Sequence, residues 1–265
     1  MDTLQPLCLI HEGDRVLKAL CSGISLLSRI PVGMEDLDIS KKTYLFVPIG
    51  GFLGLIIGTL AYFFALVFPP ELSAFLILVV VYWVCGFNHL DGLADMGDGI
   101  MAQGNKERKI SAMKDVRLGV GGMGTVVLYL IGLYAVLVLI SANASLSMIA
   151  MLVGEICAKH SMVMMCAVGK PISQGMGALF LKNTTKKHLL LSFILSLFLI
   201  TPLYYLGMII PGVFAIVSST LGSIFLLYIA EKNFGGVNGD IIGASNEIGR
   251  ILALIVIGGI ACMHL

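Results

Sequence analysis

The sequence predicts an all-α, polytopic membrane bundle of about seven transmembrane helices, with its chemistry on the cytoplasmic side. Three observations carry that expectation. Hydrophobic residues make up 58% of the 265, and mean hydropathy is +0.98. They fall in long blocks separated by short polar loops, which is the pattern of several membrane spans and not of one soluble core. Charged residues are only 12% of the chain, about half the share in an ordinary soluble domain, and the basic ones are confined to alternate loops.

Taken in order, the expected spans are 45–68, 72–87, 120–140, 145–168, 189–210, 212–230 and a weaker one over 251–265. At about 1.5 Å per residue most can cross a hydrocarbon core of about 30 Å, whereas the second and seventh are short. One membrane domain over 1–265 is expected, with 1–44 as a cytoplasmic or interfacial segment. Within that segment, 16–32 mixes Leu, Ile and Val with Lys18 and Arg29 in a rough helical pattern suited to the interface. Residues 1–15 are polar and mixed in charge, unlike a cleaved signal peptide.

Lys and Arg number 5, 5, 4 and 2 in the segments before span one, between two and three, between four and five, and between six and seven. The alternate loops carry none, and Lys159 lies inside span four. This asymmetry places the N-terminus and all long loops in the cytoplasm of a cell-membrane protein. Of the acids, Glu71 falls in an outer loop, Glu155 within span four, and the others on the cytoplasmic side. The six cysteines form no CxxC pair and most lie in apolar surroundings, so neither a disulfide framework nor a zinc site is expected.

Span two delivers the segment 86–99, GFNHLDGLADMGDG, to the cytoplasmic boundary. Asp91, Asp95 and Asp98 are spaced i, i+4, i+7 and share one helical face. Three like charges at a low-dielectric edge are costly. A divalent cation relieves that cost, and carboxylates with waters and substrate phosphates suit Mg²⁺. Gly92, Gly97 and Gly99 lower helix propensity, so part of the segment is expected to unwind around a ligand. His89 is a candidate general base or a hydrogen-bond donor that binds phosphate, with an ordinary interfacial histidine as the alternative. In the following loop Arg117 suits bidentate contact with a pyrophosphate, while Lys106, Arg108 and Lys109 read as ordinary positive-inside residues.

A second constellation, GGVNGDIIGASNE over 235–247, precedes the last span. Its glycines can offer backbone N–H groups to phosphate, and Asp240 and Glu247 are seven apart on one face. In span four, Glu155 and Lys159 are spaced for an intrahelical ion pair, with structural pairing and substrate contact both open.

Together these segments resemble cobalamin synthase, the adenosylcobinamide-GDP ribazoletransferase family. The matching pieces are SRIPV at 28–32, PIGGFLG at 48–54, HLDGLAD at 89–95 with Asp98-Gly99, MKDVRLG at 113–119, GMG at 175–177, and GGVNGD at 235–240 with Glu247. They keep their order and cover nearly the whole chain. One departure is Lys159-His160, where compared members often carry Arg. The resemblance implies that adenosylcobinamide-GDP and α-ribazole, or its 5′-phosphate, give adenosylcobalamin, or its phosphate, and GMP, with Mg²⁺. It implies catalytic roles for His89, Asp91 and Asp95, metal ligation by Asp91, Asp95 and Asp98, and substrate contacts from Arg29, Asp115, Arg117, Asn238, Asp240 and Glu247. Expected partners are these small molecules and the lipid bilayer, with no nucleic acid; monomer and homo-oligomer are both open. Two other classes compete: a CDP-alcohol phosphotransferase, whose Asp-Gly-x-x-Ala-Arg opening is not matched here, and a cation- or proton-coupled transporter, against which the acids cluster at the edge and not at the midplane.

Overall fold

The computed structural model describes residues 15–32 and 37–263. The expectations for residues 1–14, and for the side chains of Cys8 and Cys262, lie outside the described part. Eleven α-helices are present among the described residues: α1 (Arg15–Leu27), α2 (Phe46–Val67), α3 (Pro70–Cys85), α4 (Asn88–Met101), α5 (Lys106–Met113), α6 (Val120–Ser141), α7 (Ala144–Val168), α8 (Met176–Asn183), α9 (Lys186–Ile200), α10 (Ile209–Phe234) and α11 (Gly239–Met263). A 3₁₀ segment, Leu37–Leu45, leads into α2, and another, Thr201–Leu206, extends α9.

Six of these stretches are long and apolar enough to cross a membrane, and α3 with α4 makes a seventh if the bent pair is one span. The chain is a multi-pass membrane bundle. Its outer faces carry exposed Phe63, Leu128, Phe198 and Phe225, as lipid-facing helices do.

At the centre stands α7, whose side chains from Val153 to Cys166 are all buried. It is reached closely by α2, because Gly50, Gly54 and Gly58 recur every fourth residue on one face of α2. A Cβ at those positions would sit 2.6 Å from the Glu155 carbonyl oxygen, 2.9 Å from Leu152 Cα and 2.6 Å from the Met148 carbonyl oxygen. Small residues at helical spacing let two backbones approach, which is how helices associate where lipid removes the hydrophobic drive between them.

Two expectations are corrected. The last span is not short: α11 has 25 residues and begins at Gly239, so Glu247 and Arg250 lie inside it, buried. Arg250 therefore leaves the cytoplasmic count, which keeps Lys232 in the last turn of α10. Charged residues hidden as internal pairs lower a helix's apparent hydropathy without lowering its fitness for the interior. The second correction is that α4 does not unwind at its glycines but runs as a helix through all of them. The break falls one turn earlier, at Gly86, whose φ of +73° ends α3 in a conformation that favours glycine. There the chain bends by 96° between α3 and α4. Gly92 serves contact instead: a Cβ there would lie 2.5 Å from the Asp240 carbonyl oxygen on α11.

Candidate active site

Where α4 crosses the start of α11 the structure opens a cavity of about 530 Å³. Two close approaches fix the crossing: Gly92 against Asp240, and Gly243 against His89, whose Cα would be 3.3 Å from an added Cβ. Asp91 and His89 reach the cavity from α4, Asn238 and Asp240 from the start of α11, and Lys114 from the end of α5. A loop pairing holds the floor: the Ile172 N–H donates to the Val237 carbonyl at 3.1 Å and the Val237 N–H to the Lys170 carbonyl at 2.7 Å. The Asn238 side chain caps α11, its Oδ1 accepting from the Ile241 N–H at 3.1 Å while its Nδ2 donates to Asp240 Oδ2 at 2.6 Å.

The acids are close enough to feel one another. Asp95 is partly buried and faces the charges of Asp91, Asp240 and Asp98. Asp240 lines the same cavity as Asp91, with Lys114 as the nearby cation. Neighbouring carboxylates repel one another, and each disfavours the other's ionised form. Asp98 has a different employment. Its two oxygens accept from the Gly119 N–H at 2.8 Å and the Gly122 N–H at 2.7 Å, so it caps the start of α6, where a negative charge also meets the positive end of the helix dipole.

His89 is buried, and its Nδ1 has no hydrogen-bond partner among the described residues. It lies between the cavity and a fully buried charge network. In that network Lys159 Nζ donates to Glu155 Oε2 at 3.2 Å and to Asn246 Oδ1 at 2.8 Å. Arg250 Nε donates to Glu155 Oε1 at 2.6 Å, and Arg250 Nη1 to Glu247 Oε2. Tyr129 from α6 and Tyr82 from α3 donate hydroxyls to the same Glu247 oxygen at 2.6 and 3.1 Å. Asn246 Nδ2 donates to Glu247 Oε1 at 2.8 Å. Two carboxylates and two cations thus neutralise each other while tying α3, α6, α7 and α11 together. Such a set tolerates burial only because every charge is paired.

The chain matches a family model described as Cobalamin-5-phosphate synthase over residues 19–258. It belongs to that family. Similar curated relatives are named adenosylcobinamide-GDP ribazoletransferase: one from Methanococcoides burtonii, 41% identical over 91% of this chain and 92% of its own; one from Methanosarcina mazei, 40% identical over 91% of each; and one from Pyrococcus furiosus, 32% identical over 89% and 97%. No solved structure matches. Membership sets aside both competing classes, the CDP-alcohol phosphotransferase and the transporter.

Within this family member the cavity gathers His89, Asp91, Asn238 and Asp240, with Asp95 one turn along α4 from Asp91. It does not gather the others. Glu247 shares a helical face with Asp240 but lies about 10 Å farther along α11, spent on Arg250 and the two tyrosines. Asp115 and Arg117 are exposed and paired with each other, Arg117 Nη2 to Asp115 Oδ2 at 2.9 Å, and the guanidinium's hydrogen bonds lower Asp115 to about 2. Arg29 is exposed beside Trp83 and Val84, where its N–H donates to the Val84 carbonyl at 2.8 Å. Lys106 and Lys109 hold the end of α10 through the Glu231 carbonyl and Asn233. Of the 235–247 loop, the Gly235 and Val237 N–H groups are taken by Glu231 and Lys170, which leaves the first turn of α11 as the part facing the cavity. Sequence reasoning missed Lys114 and Gln174 as lining residues. Both sit within or beside the motifs quoted above, but nothing in their spacing singles them out.

Proposed function

We propose that this chain joins adenosylcobinamide-GDP to α-ribazole or its 5′-phosphate, releasing GMP, in the cavity between α4 and α11, on the cytoplasmic face of the cell membrane. Family membership supports the reaction. The observation that carries the site is one cavity lined by the carboxylates Asp91 and Asp240, Lys114 and His89. The reaction is a displacement at phosphorus: a ribose oxygen forms a P–O bond, the bond to the bridging oxygen of the pyrophosphate breaks, and GMP leaves. Its demands are positioning and neutralisation of charge.

Among the described residues no three His, Cys, Asp or Glu side chains are grouped to enclose a metal by themselves. Mg²⁺ keeps waters and is usually held by one or two carboxylates together with substrate phosphates. Asp91 and Asp95 would hold it, with Asp240 across the cavity. Asp98, both oxygens already capping α6, contributes charge to the cluster more than ligation. Bound Mg²⁺ would neutralise the pyrophosphate oxygens and the developing charge on the leaving phosphate. His89, which lines the cavity, accepts the proton of the attacking hydroxyl, Lys114 pairs with a phosphate oxygen at the rim, and the first turn of α11 faces the anion with its positive end.

Purified protein in detergent or lipid should release GMP from adenosylcobinamide-GDP only when α-ribazole and Mg²⁺ are both present. No release with both would sink the transferase assignment, and release undiminished by a chelator would sink the metal. The orientation has its own test. Cysteines placed at Gln103 and Lys187 should be labelled only from the cytoplasm and one at Ala142 only from outside; the reverse pattern would put the cavity on the other face.

A further inference from the structure

Between α3 and α4 the chain turns at Gly86, and the helix that begins beyond it carries His89, Asp91 and Asp95. The residue in the capping position of α4 is Phe87, which makes no side-chain cap, where a Ser, Thr, Asp or Asn would accept a backbone N–H. The direction of α4 therefore needs another hold, and the Phe87 ring supplies it. That ring lies flat on Tyr82, with centroids 5.2 Å apart and planes within 9°, an offset stack. In an unbroken helix two residues five apart point about 140° away from each other, so the contact exists only because the chain is bent.

Tyr82 is itself fixed from its far end. It is buried, and its hydroxyl donates to Glu247 Oε2 at 3.1 Å. Glu247 already accepts from Arg250, Asn246 and Tyr129, so the longer Tyr82 bond adds little to its neutralisation; what it adds is a fixed ring. On the other side of the stack, the Phe87 carbonyl accepts the Asp91 N–H at 2.8 Å. A continuous line of contacts thus runs from the interior charge network through the two rings to the backbone of Asp91.

We propose that Tyr82 is a positioning residue for the transfer reaction: its bond to Glu247 fixes the ring on which Phe87 rests, and that contact sets where α4 holds Asp91 and His89. The proposal rests on the cavity being the active site and deepens that reading. Small displacements matter there, because misplacing a reacting group by about 1 Å can cost about 10²-fold in rate.

The test separates holding the helix from holding the fold. Tyr82→Phe removes the hydroxyl and keeps the stack. Phe87→Leu, at an exposed position, removes the stack and keeps apolar bulk. Tyr129→Phe removes the shorter bond to the same Glu247 oxygen, from α6. GMP release is followed as kcat and as KM for each substrate, with thermal unfolding in detergent alongside. Tyr82→Phe and Phe87→Leu should each lower kcat about fivefold, the scale of one hydrogen bond, with both KM values within about twofold. The double variant should be no slower than the slower single one, because both cut the same line of contacts. Tyr129→Phe should lose at least as much thermal stability as Tyr82→Phe, yet keep kcat within about twofold. Equal losses of kcat in Tyr82→Phe and Tyr129→Phe, losses that multiply in the double variant, or a change confined to KM would overturn the proposal and leave Tyr82 as a brace of the fold. Should Tyr82→Phe not fold, Phe87→Leu decides alone, and an unchanged kcat there overturns the proposal as well. Absence of GMP release by the wild type would instead overturn the transferase reading, and full activity of Asp91→Asn the placement of the site, so those failures are told apart.

Discussion

Two groups of charges lie on the two sides of His89, and they are built on opposite rules. In the interior, Glu155, Glu247, Lys159 and Arg250 balance two against two, and each is held by neighbours within the protein. At the cavity, Asp91 and Asp240 share the lining with Lys114 as a cation near Asp240, Asp95 lies one turn from Asp91 on α4, and the carboxylates repel one another. Charges paired inside the protein hold helices together. Charges left in surplus beside a cavity are waiting for something from outside.

The sharpest way to break that contrast is to unbalance the interior. Arg250→Met leaves Glu247 without a cation and Glu155 with Lys159 alone, and should cost about 3–5 kcal/mol, the scale for breaking a buried pair. Little folded protein should be recovered, as read by monodispersity and thermal unfolding in detergent. Within the same network, Lys159→Met leaves one net buried negative charge, whereas Lys159→Met with Glu155→Gln leaves none. The double variant should therefore be recovered in better yield than the single one; equal yields would argue that the charges are not balanced as a set. A smaller effect belongs to Asp98→Ala, which removes two hydrogen bonds from the start of α6 and should lower stability by about 1–2 kcal/mol, with most of the activity per folded molecule kept. On the cavity side, Lys114→Met should reduce kcat/KM by about tenfold, the scale of one hydrogen bond to a charged group. Arg117→Met should change it by no more than about twofold, since an exposed ion pair outside the cavity contributes little. A larger loss from Arg117 than from Lys114 would reverse the assignment of the rim.

How much of this was legible in the sequence depends on how far apart the interacting parts are. Spans three to six and the Glu155–Lys159 pair follow from hydropathy and one helical turn, because both are local. The acid face of α4 is local too, and its i, i+4, i+7 spacing is realised in one continuous helix. The surroundings of Glu247 are not legible because its partners, Arg250, Tyr82 and Tyr129, come from three helices, two of them more than a hundred residues away in sequence. The same holds for Asp98, whose carboxylate caps a helix beginning 22 residues later. Lys114 was one lysine among several in a basic loop, and its distinction is wholly a matter of where α5 ends. The glycines of α4 carry two meanings, loss of helix propensity and closeness of packing, and the approach of α11 and α6 decides for the second.

The measurement that bears most directly on the contrast is GMP release against Mg²⁺ concentration, with folded yield measured in parallel, for Asp91→Asn and Asp95→Asn. Each change keeps the side chain's shape and removes one charge from the surplus. Both variants should fold as well as the wild type, because no internal partner is lost. Activity should fall by roughly 10² or more, a loss of about 2.7 kcal/mol of transition-state stabilisation, and raising Mg²⁺ should partly restore it. Near wild-type release in both, with an unchanged Mg²⁺ requirement, would contradict the account and leave the acids of α4 as a solvated face.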